Sequence, residues 1–143
     1  MKDKIFLLIL TLVFIGGCLS QQTKDVTNLT PKEVVGTYYN SFDTKDYATM
    51  YALISDGFKE IEPTAKDLET FSQRISKYFE TGNGIKIKEV EEISNDGSSA
   101  TVDYTLEMDL FSGKKELRST FTIKKRANGW KLIHPYGDKI DLS

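Results

Sequence analysis

The chain has 143 residues, of which 39% are hydrophobic and 28% are charged, a composition typical of one globular domain. Its 19 basic and 21 acidic residues give a net charge of −2, so the basic field that gathers nucleic acid is missing and no nucleic-acid partner is expected. A single Cys and a single His exclude a disulfide framework and a Cys/His metal cluster, and neither a metal ion nor a cofactor is expected.

The N-terminus carries a short apolar run. Residues 5–15 are apolar with one exception, and the small residues 16–17 lead from them to Cys18. A membrane-spanning helix needs about 20 apolar residues, so this run is too short to span and instead fits the core of a signal peptide. Residues 15–18 resemble the lipobox of prokaryotic lipoproteins. This resemblance implies cleavage before Cys18 and a diacylglyceryl group on its thiol; a plain secretory signal and an uncleaved anchor are the alternatives.

The sequence therefore predicts three parts. Residues 1–17 form a lipoprotein signal peptide, residues 18–29 form a flexible tether after the lipidated Cys18, and residues 30–143 form one domain. The tether is predicted because its sequence is polar and shows no period. The expected partner at this end is the cell membrane, with the domain on its extracytoplasmic side.

Three helices are predicted in the first half of the domain. Residues 30–33 form a capping box with proline at the first helical position, and two further helices are expected after the caps Asp46 and Thr64. The third helix is expected to stop at residues 81–84, and residues 58–61 are predicted to be extended. The apolar faces that these helices would bury are Val34, Val35, Tyr38 and Phe42; Tyr47, Met50, Tyr51 and Ile54; and Leu68, Phe71, Ile75, Tyr78 and Phe79.

From residue 85 onward apolar residues recur with period two, which predicts an antiparallel sheet. With Ser112–Gly113 as a two-residue loop, Tyr104 would lie opposite Phe121, and both would face inward. The same register puts Asp109 opposite Glu116, an unfavourable pair that indicates a looser, longer loop at the tip. The final turn is predicted at Asn128–Gly129.

Helices followed by a meander that ends in residues 129–133 resemble the layout of the nuclear-transport-factor-2-like (NTF2-like, cystatin-like) α+β cone. Residues 30–39, 46–51 and 128–133 are similar to small prokaryotic lipoproteins of that superfamily, especially the DUF4878-like group. The resemblance covers residues 30–140. It implies three helices packed on a curved antiparallel sheet of about four strands, with a conical pocket that some relatives use for catalysis and many only for binding.

The residues expected to line this pocket lie on the inward face of the sheet. With a turn at Asn128–Gly129, His134 would face Ile123 and share a side with the others. In the catalytic interpretation, His134 is the acid or base and a hydroxyl partners it, as in small enzymes of the SnoaL or ketosteroid-isomerase type. In the other interpretation His134 ends the sheet and bonds a backbone carbonyl. The full expected lining is Tyr104, Ser119, Phe121, Trp130 and His134.

Binding is favoured over catalysis because general acid–base chemistry needs a second ionisable group within reach. The acidic residues of the central strands, Asp103, Glu107 and Asp109, all point to the other face, although a carboxylate from a helix could still reach in. We therefore expect no catalytic residue. The expected task is to bind a small apolar ligand in the cone or to dock a partner protein, and the outer sheet face offers a surface for a homodimer.

Overall fold

The computed structural model describes residues 24–81 and 84–135, and within them four helices precede four strands. The strands form one antiparallel sheet in the order β1-β2-β3-β4. The predicted α+β architecture, helices first and sheet second, is confirmed. The elements are α1 (Pro31–Asp43), α2 (Tyr47–Leu53), α3 (Asp56–Ile61), α4 (Leu68–Glu80), β1 (Gly84–Asn95), β2 (Ser99–Leu110), β3 (Gly113–Arg126) and β4 (Gly129–Leu132).

The N-terminal predictions fall outside this part of the chain. The apolar run at residues 5–15 and Cys18 lie before the first described residue. Among the described helices, none has both the length and the apolar character needed to cross a bilayer.

Two helix starts follow the predicted caps. The Glu33 N–H donates to Thr30 Oγ1 at 3.3 Å, and the Glu33 carboxylate accepts the Thr30 N–H at 2.8 Å, so the capping box of α1 is present. Asp46 Oδ1 accepts the N–H of Thr49 at 3.1 Å and caps α2. In both helices a side chain satisfies a backbone donor that the first turn would otherwise leave unpaired.

The prediction of an extended segment at residues 58–61 is wrong. These residues belong to α3, so the described chain has four helices where three were expected. The cause is a further cap, because Ser55 Oγ accepts the N–H of Phe58 at 2.9 Å and starts a helix just after α2.

The last helix begins later than predicted. Thr64 lies in a single turn of 3₁₀ helix at Pro63–Ala65, and α4 starts at Leu68. Asp67 takes the capping role, with its carboxylate accepting the N–H of Thr70 at 2.7 Å.

The end of the expected tether packs against the helices and the sheet. Val26 is only 6% exposed, and the Lys24 N–H donates to Thr49 Oγ1 at 3.4 Å. The backbone of Thr27 lies against Gly129 at the start of β4. Residues 24–29 are therefore part of the domain surface, and residues 18–23 lie outside the described chain.

Both predicted hairpin registers are wrong by two residues. Leu110 pairs with Gly113, and Arg126 pairs with Gly129, so each glycine follows its turn instead of lying within it. Gly113 and Gly129 have φ of +108° and +104°, whereas the loop residues between the paired positions are not left-handed. This geometry is typical of a type I turn followed by glycine.

The shifted register removes the predicted charge clash at the hairpin tip. Asp109 lies opposite Lys114, with 3.5 Å between carboxylate and ammonium, and no longer opposite Glu116. Glu116 is opposite Glu107, but Lys88 and Lys114 each lie 2.7 Å from one of these carboxylates. A longer loop at the tip is therefore not needed. The shift is an even number of residues, so every side chain keeps its predicted face.

The short strand β4 connects the sheet to the helices. Leu132 is fully buried, lies opposite Ile123 of β3, and forms a parallel bridge with Ile54 after α2. Lys131 is only 5% exposed, and its ammonium donates to the Ala52 carbonyl at 2.6 Å, near the C-terminus of α2. Burial lowers the pKa of Lys131, and the bond satisfies a carbonyl that the end of a helix leaves free.

Candidate functional site

Aromatic rings occupy the inward face of the sheet below α1. Tyr104 and Phe121 stack with centroids 5.1 Å apart and planes 19° apart. Tyr39 of α1 lies 5.1 Å from Tyr104, and Tyr38 lies 6.5 Å from Phe121. The predicted inward direction of Tyr104 and Phe121 is confirmed. These rings fill space that the sequence analysis assigns to a ligand.

Burial raises the pKa of the Tyr38 and Tyr39 hydroxyls well above the ordinary value. The unfolded chain releases these protons above about pH 10 and the folded chain retains them, so stability falls as the pH rises past that value. We expect Tyr39→Phe, which removes a buried hydroxyl, to lose about 1 kcal/mol at neutral pH. From about pH 10 to 11 the free energy of unfolding of the variant should fall by about 1 kcal/mol less than that of the parent chain, because the unfolded tyrosine is already half ionised at pH 10. Urea unfolding at both values measures this, and an unchanged slope would contradict it.

The other strand residues of the predicted pocket have different surroundings. Ser119 lies directly opposite Tyr104 and is half-buried. Trp130 is 7% exposed and lies opposite Lys125, whose ammonium is 5.3 Å from the centroid of the indole ring. Trp130 therefore packs as a core residue with a cation over one face.

His134 lies past the end of β4 and does not face Ile123, because Leu132 takes that place. Its ring meets Phe58 of α3 edge-on at 4.8 Å. Nε2 lies 3.9 Å from the Glu62 carboxylate, so a carboxylate from the helical half does reach the imidazole. His134 thus contacts the helical half of the domain through Phe58 and Glu62.

Glu62 has a structural task beside this contact. Its Oε1 accepts the N–H of Thr64 at 3.1 Å and the Thr64 hydroxyl at 2.7 Å. These bonds to Thr64, more than the nearby His134, lower the pKa of Glu62. The His134 side chain is 10% exposed and that of Glu62 is 36% exposed, so the pair lies at the surface end of the sheet.

A polar cavity of about 380 Å³ opens where β1 bulges against β2. Tyr104 is the one member of the predicted pocket that lines it. Three carboxylates and one guanidinium share the lining, so the cavity does not suit an apolar ligand. The charged lining residues are Glu89, Glu91, Asp103 and Arg118.

The apolar cavity lies elsewhere, between α1, α4 and the start of β1. We call it the α1–α4 groove. Its volume is about 540 Å³, within the range of about 300–1,000 Å³ that small-molecule sites occupy. Apolar surface predominates in its lining, and two cationic side chains border it. The lining residues are Phe42, Arg74, Ile75, Lys77, Tyr78, Thr81 and Ile85.

The α1–α4 groove was not predicted from the sequence. The helical period identified Ile75 and Tyr78 and predicted that they belong to the core. Both are only half-buried, although the Tyr78 ring packs on Phe42 with centroids 5.5 Å apart. The available signal was the neighbouring pair of cations, Arg74 and Lys77, on a turn whose apolar residues were assigned to the interior.

No group of three His, Cys, Asp or Glu side chains in residues 24–81 and 84–135 is placed to hold a metal ion.

The outer face of the sheet carries charges that pair within one chain. Arg118 lies 3.4 Å from Asp103, whose other oxygen accepts the Thr120 hydroxyl at 2.6 Å. The homodimer through this face stays a prediction.

Comparison with solved structures agrees with this fold. A SEC-C motif-containing protein from Psychrobacter arcticus superposes with a TM-score of 0.56 at 12% identity, over 82% of this chain and 66% of that one. An uncharacterized protein with a cystatin-like fold from Caulobacter vibrioides gives 0.53 at 13% identity, over 71% and 81%. The predicted cystatin-like fold is confirmed.

Sequence comparison gives the family. No curated protein matches the chain. The model of the SnoaL-like domain matches residues 32–136, which include the four described strands and, apart from Pro31 at the start of α1, the four described helices. A match over more than half of the chain identifies a family, and this one carries the NTF2-like layout that the sequence resembles. The chain therefore belongs to the SnoaL-like domain family.

Proposed function

We propose that this protein is a lipid-anchored extracytoplasmic protein whose SnoaL-like domain binds a small apolar ligand and does not transform it. The α1–α4 groove is the observation that carries the proposal. It has the volume of a small-molecule site, and its lining combines a mainly apolar surface with few polar groups. The ligand site is thus proposed between two helices, not among the aromatic rings of the sheet.

The anchor rests on the sequence around Cys18 and on where the domain begins. Val26 is already buried, and Lys24 bonds to α2. Six residues from Cys18 to Lys24 reach about 20 Å when fully extended. A diacylglyceryl group on Cys18 would therefore hold the domain close to the bilayer surface. Membership of the DUF4878-like group and the docking of a partner protein stay predictions.

A ligand screen tests the binding proposal. The full chain is reconstituted in phosphatidylcholine nanodiscs, and its melting temperature is measured with a panel of small apolar compounds. A ligand present at 100 times its dissociation constant stabilises the folded state by about 2.7 kcal/mol. We expect at least one compound to raise the melting temperature of the parent chain. The same compound should not raise the melting temperature of Ile75→Trp, because the larger side chain fills the groove. A ligand that stabilises both proteins equally would place the site elsewhere.

Catalysis is the second candidate, and the contact between His134 and Glu62 favours it. An imidazole 3.9 Å from a carboxylate is an arrangement that general acid–base chemistry uses. A compound that passes the screen should therefore be incubated with the protein and its mass measured. Conversion by the parent chain and none by His134→Ala would replace the binding proposal with an enzyme, whereas recovery of the unchanged compound from both agrees with binding alone.

A further inference from the structure

The α1–α4 groove has an apolar floor and a cationic rim, and both come from one turn of α4. Ile75 and Tyr78 are half-buried and lie toward Phe42 and Ile85, while Arg74 and Lys77 are exposed. Residues three apart on a helix are neighbours, with Cβ atoms about 5–6 Å apart. The two cations are therefore placed side by side along one edge of an apolar channel.

Among residues 24–81 and 84–135, no carboxylate lines the groove. Its charged lining residues are Arg74 and Lys77, and the uncharged ones are aromatic, aliphatic or a single threonine. One carboxylate near Arg74, that of Glu62, already bonds to Thr64. The rim therefore favours an anion over a cation or a neutral head group.

A third cation lies on the same side of the helix pair. The Lys45 ammonium is 5.0 Å from the centroid of the Phe79 ring, which itself packs on Phe42 at 4.9 Å. Lys45 follows α1 and Phe79 belongs to α4, so this cation lies beside the ends of both helices, where Asp43 and Glu80 are also exposed.

We propose that the α1–α4 groove binds a single-chain fatty acid. The hydrocarbon chain lies on Phe42, Ile75 and Tyr78, and the carboxylate lies at the rim between Arg74 and Lys77. The rim is exposed, so the charged head keeps part of its water while the chain is removed from it. This inference rests on the proposed function and specifies the ligand class.

Photo-cross-linking with a diazirine-bearing lauric acid tests the proposal. The full chain is held in phosphatidylcholine nanodiscs, irradiated with the probe, and digested for mass spectrometry. We expect labelled peptides from α4 and from the end of α1, and competition by unlabelled lauric acid. Labels confined to the N-terminal segment or to the outer face of the sheet would overturn the proposal.

Charge variants separate head-group recognition from apolar binding. The double variant Arg74→Gln/Lys77→Gln should need about tenfold more lauric acid for the same labelling, because it loses two exposed charge-assisted contacts. The control Lys66→Gln/Lys115→Gln removes the same charge outside the groove and should label like the parent chain. Equal affinity in all three proteins would overturn the proposal, and unchanged melting temperatures would show that the variants are folded.

Lauryl alcohol and lauryl trimethylammonium distinguish this inference from the function on which it rests. Both carry the same chain as lauric acid, without its negative charge. We expect each to compete at least tenfold more weakly than lauric acid in the parent chain. If lauryl alcohol competes as well as lauric acid, the groove binds apolar ligands and the carboxylate does not contribute to affinity. The fatty-acid proposal then fails while the binding function stands.

Discussion

Gly129→Ala is expected to destabilise the domain by about 2–5 kcal/mol. A Cβ at this position would lie 2.7 Å from the carbonyl oxygen of Thr27, closer than any real contact, and φ is +104°. The clash involves backbone on both sides, so no side-chain rotation relieves it. Either the turn before β4 or the N-terminal segment that buries Val26 must move. Urea unfolding of the variant measures the loss.

Gly113→Ala is the matched control for this substitution. Gly113 has nearly the same φ, +108°, and also follows a hairpin turn, but nothing lies within 4 Å of the added Cβ. It should show the backbone cost alone, about 1–2 kcal/mol. The excess loss at Gly129 then reports the contact with Thr27. Equal losses at the two glycines would mean that the N-terminal segment does not pack there.

Leu132→Ala is expected to cost a similar amount, about 2–5 kcal/mol. The side chain is fully buried between Ile123 and the Ile54 bridge, and its carbonyl accepts the N–H of Ser55 at 2.9 Å. A cavity at this point would weaken the connection between sheet and helices. Calorimetric or urea unfolding measures the loss.

Leu117→Ala removes the same atoms from an exposed place in the neighbouring strand. Leu117 is 43% exposed and lies opposite Leu106. We expect a loss below about 1 kcal/mol, since little surface returns to water and no closed cavity forms. If Leu132→Ala lowers the free energy of unfolding no more than Leu117→Ala does, β4 does not connect the sheet to the helices.

The sequence predicted which face of the sheet each side chain occupies, but it did not predict which residues pair across neighbouring strands. The even register shift at the two turns explains both results. Alternation with period two assigns Tyr104 and Phe121 to the inward face whatever the register, provided that any slip is even. The turn sets the register, and the position of glycine within it was misassigned. Gly113 and Gly129 each follow a turn, so every pairing moves by two and Phe121 meets Val102 instead of Tyr104.

The helices show the same division. The capping box before α1 combines a side chain, a spacing and a proline, and it was predicted correctly. Asp46 caps α2 with a single side chain and was predicted, whereas the caps Ser55 and Asp67 were missed. Ser55 comes directly after α2, and Asp67 follows another candidate cap, Thr64. Periodicity identified Ile75 and Tyr78, but only the packing of α4 against α1 shows that they leave a groove open.

The candidate site therefore lies between α1 and α4, and not on the inward face of the sheet where the sequence predicted it. The rings of Tyr39, Tyr104 and Phe121 fill the face where the sequence analysis expects a ligand. His134 packs on Phe58 beyond the end of β4. The positions of these rings and of His134 depend on the strand register and on α3, neither of which was predicted. They could therefore not be derived from the sequence alone.

Native mass spectrometry of protein extracted from membranes tests the claim of a lipid-anchored binding domain most directly. We predict a polypeptide that starts at Cys18, weighs more than its sequence by a diacylglyceryl group, and releases a small apolar compound on gentle activation. A polypeptide that keeps residues 1–17 with a free thiol, and that carries nothing even after exposure to apolar compounds, would contradict the account.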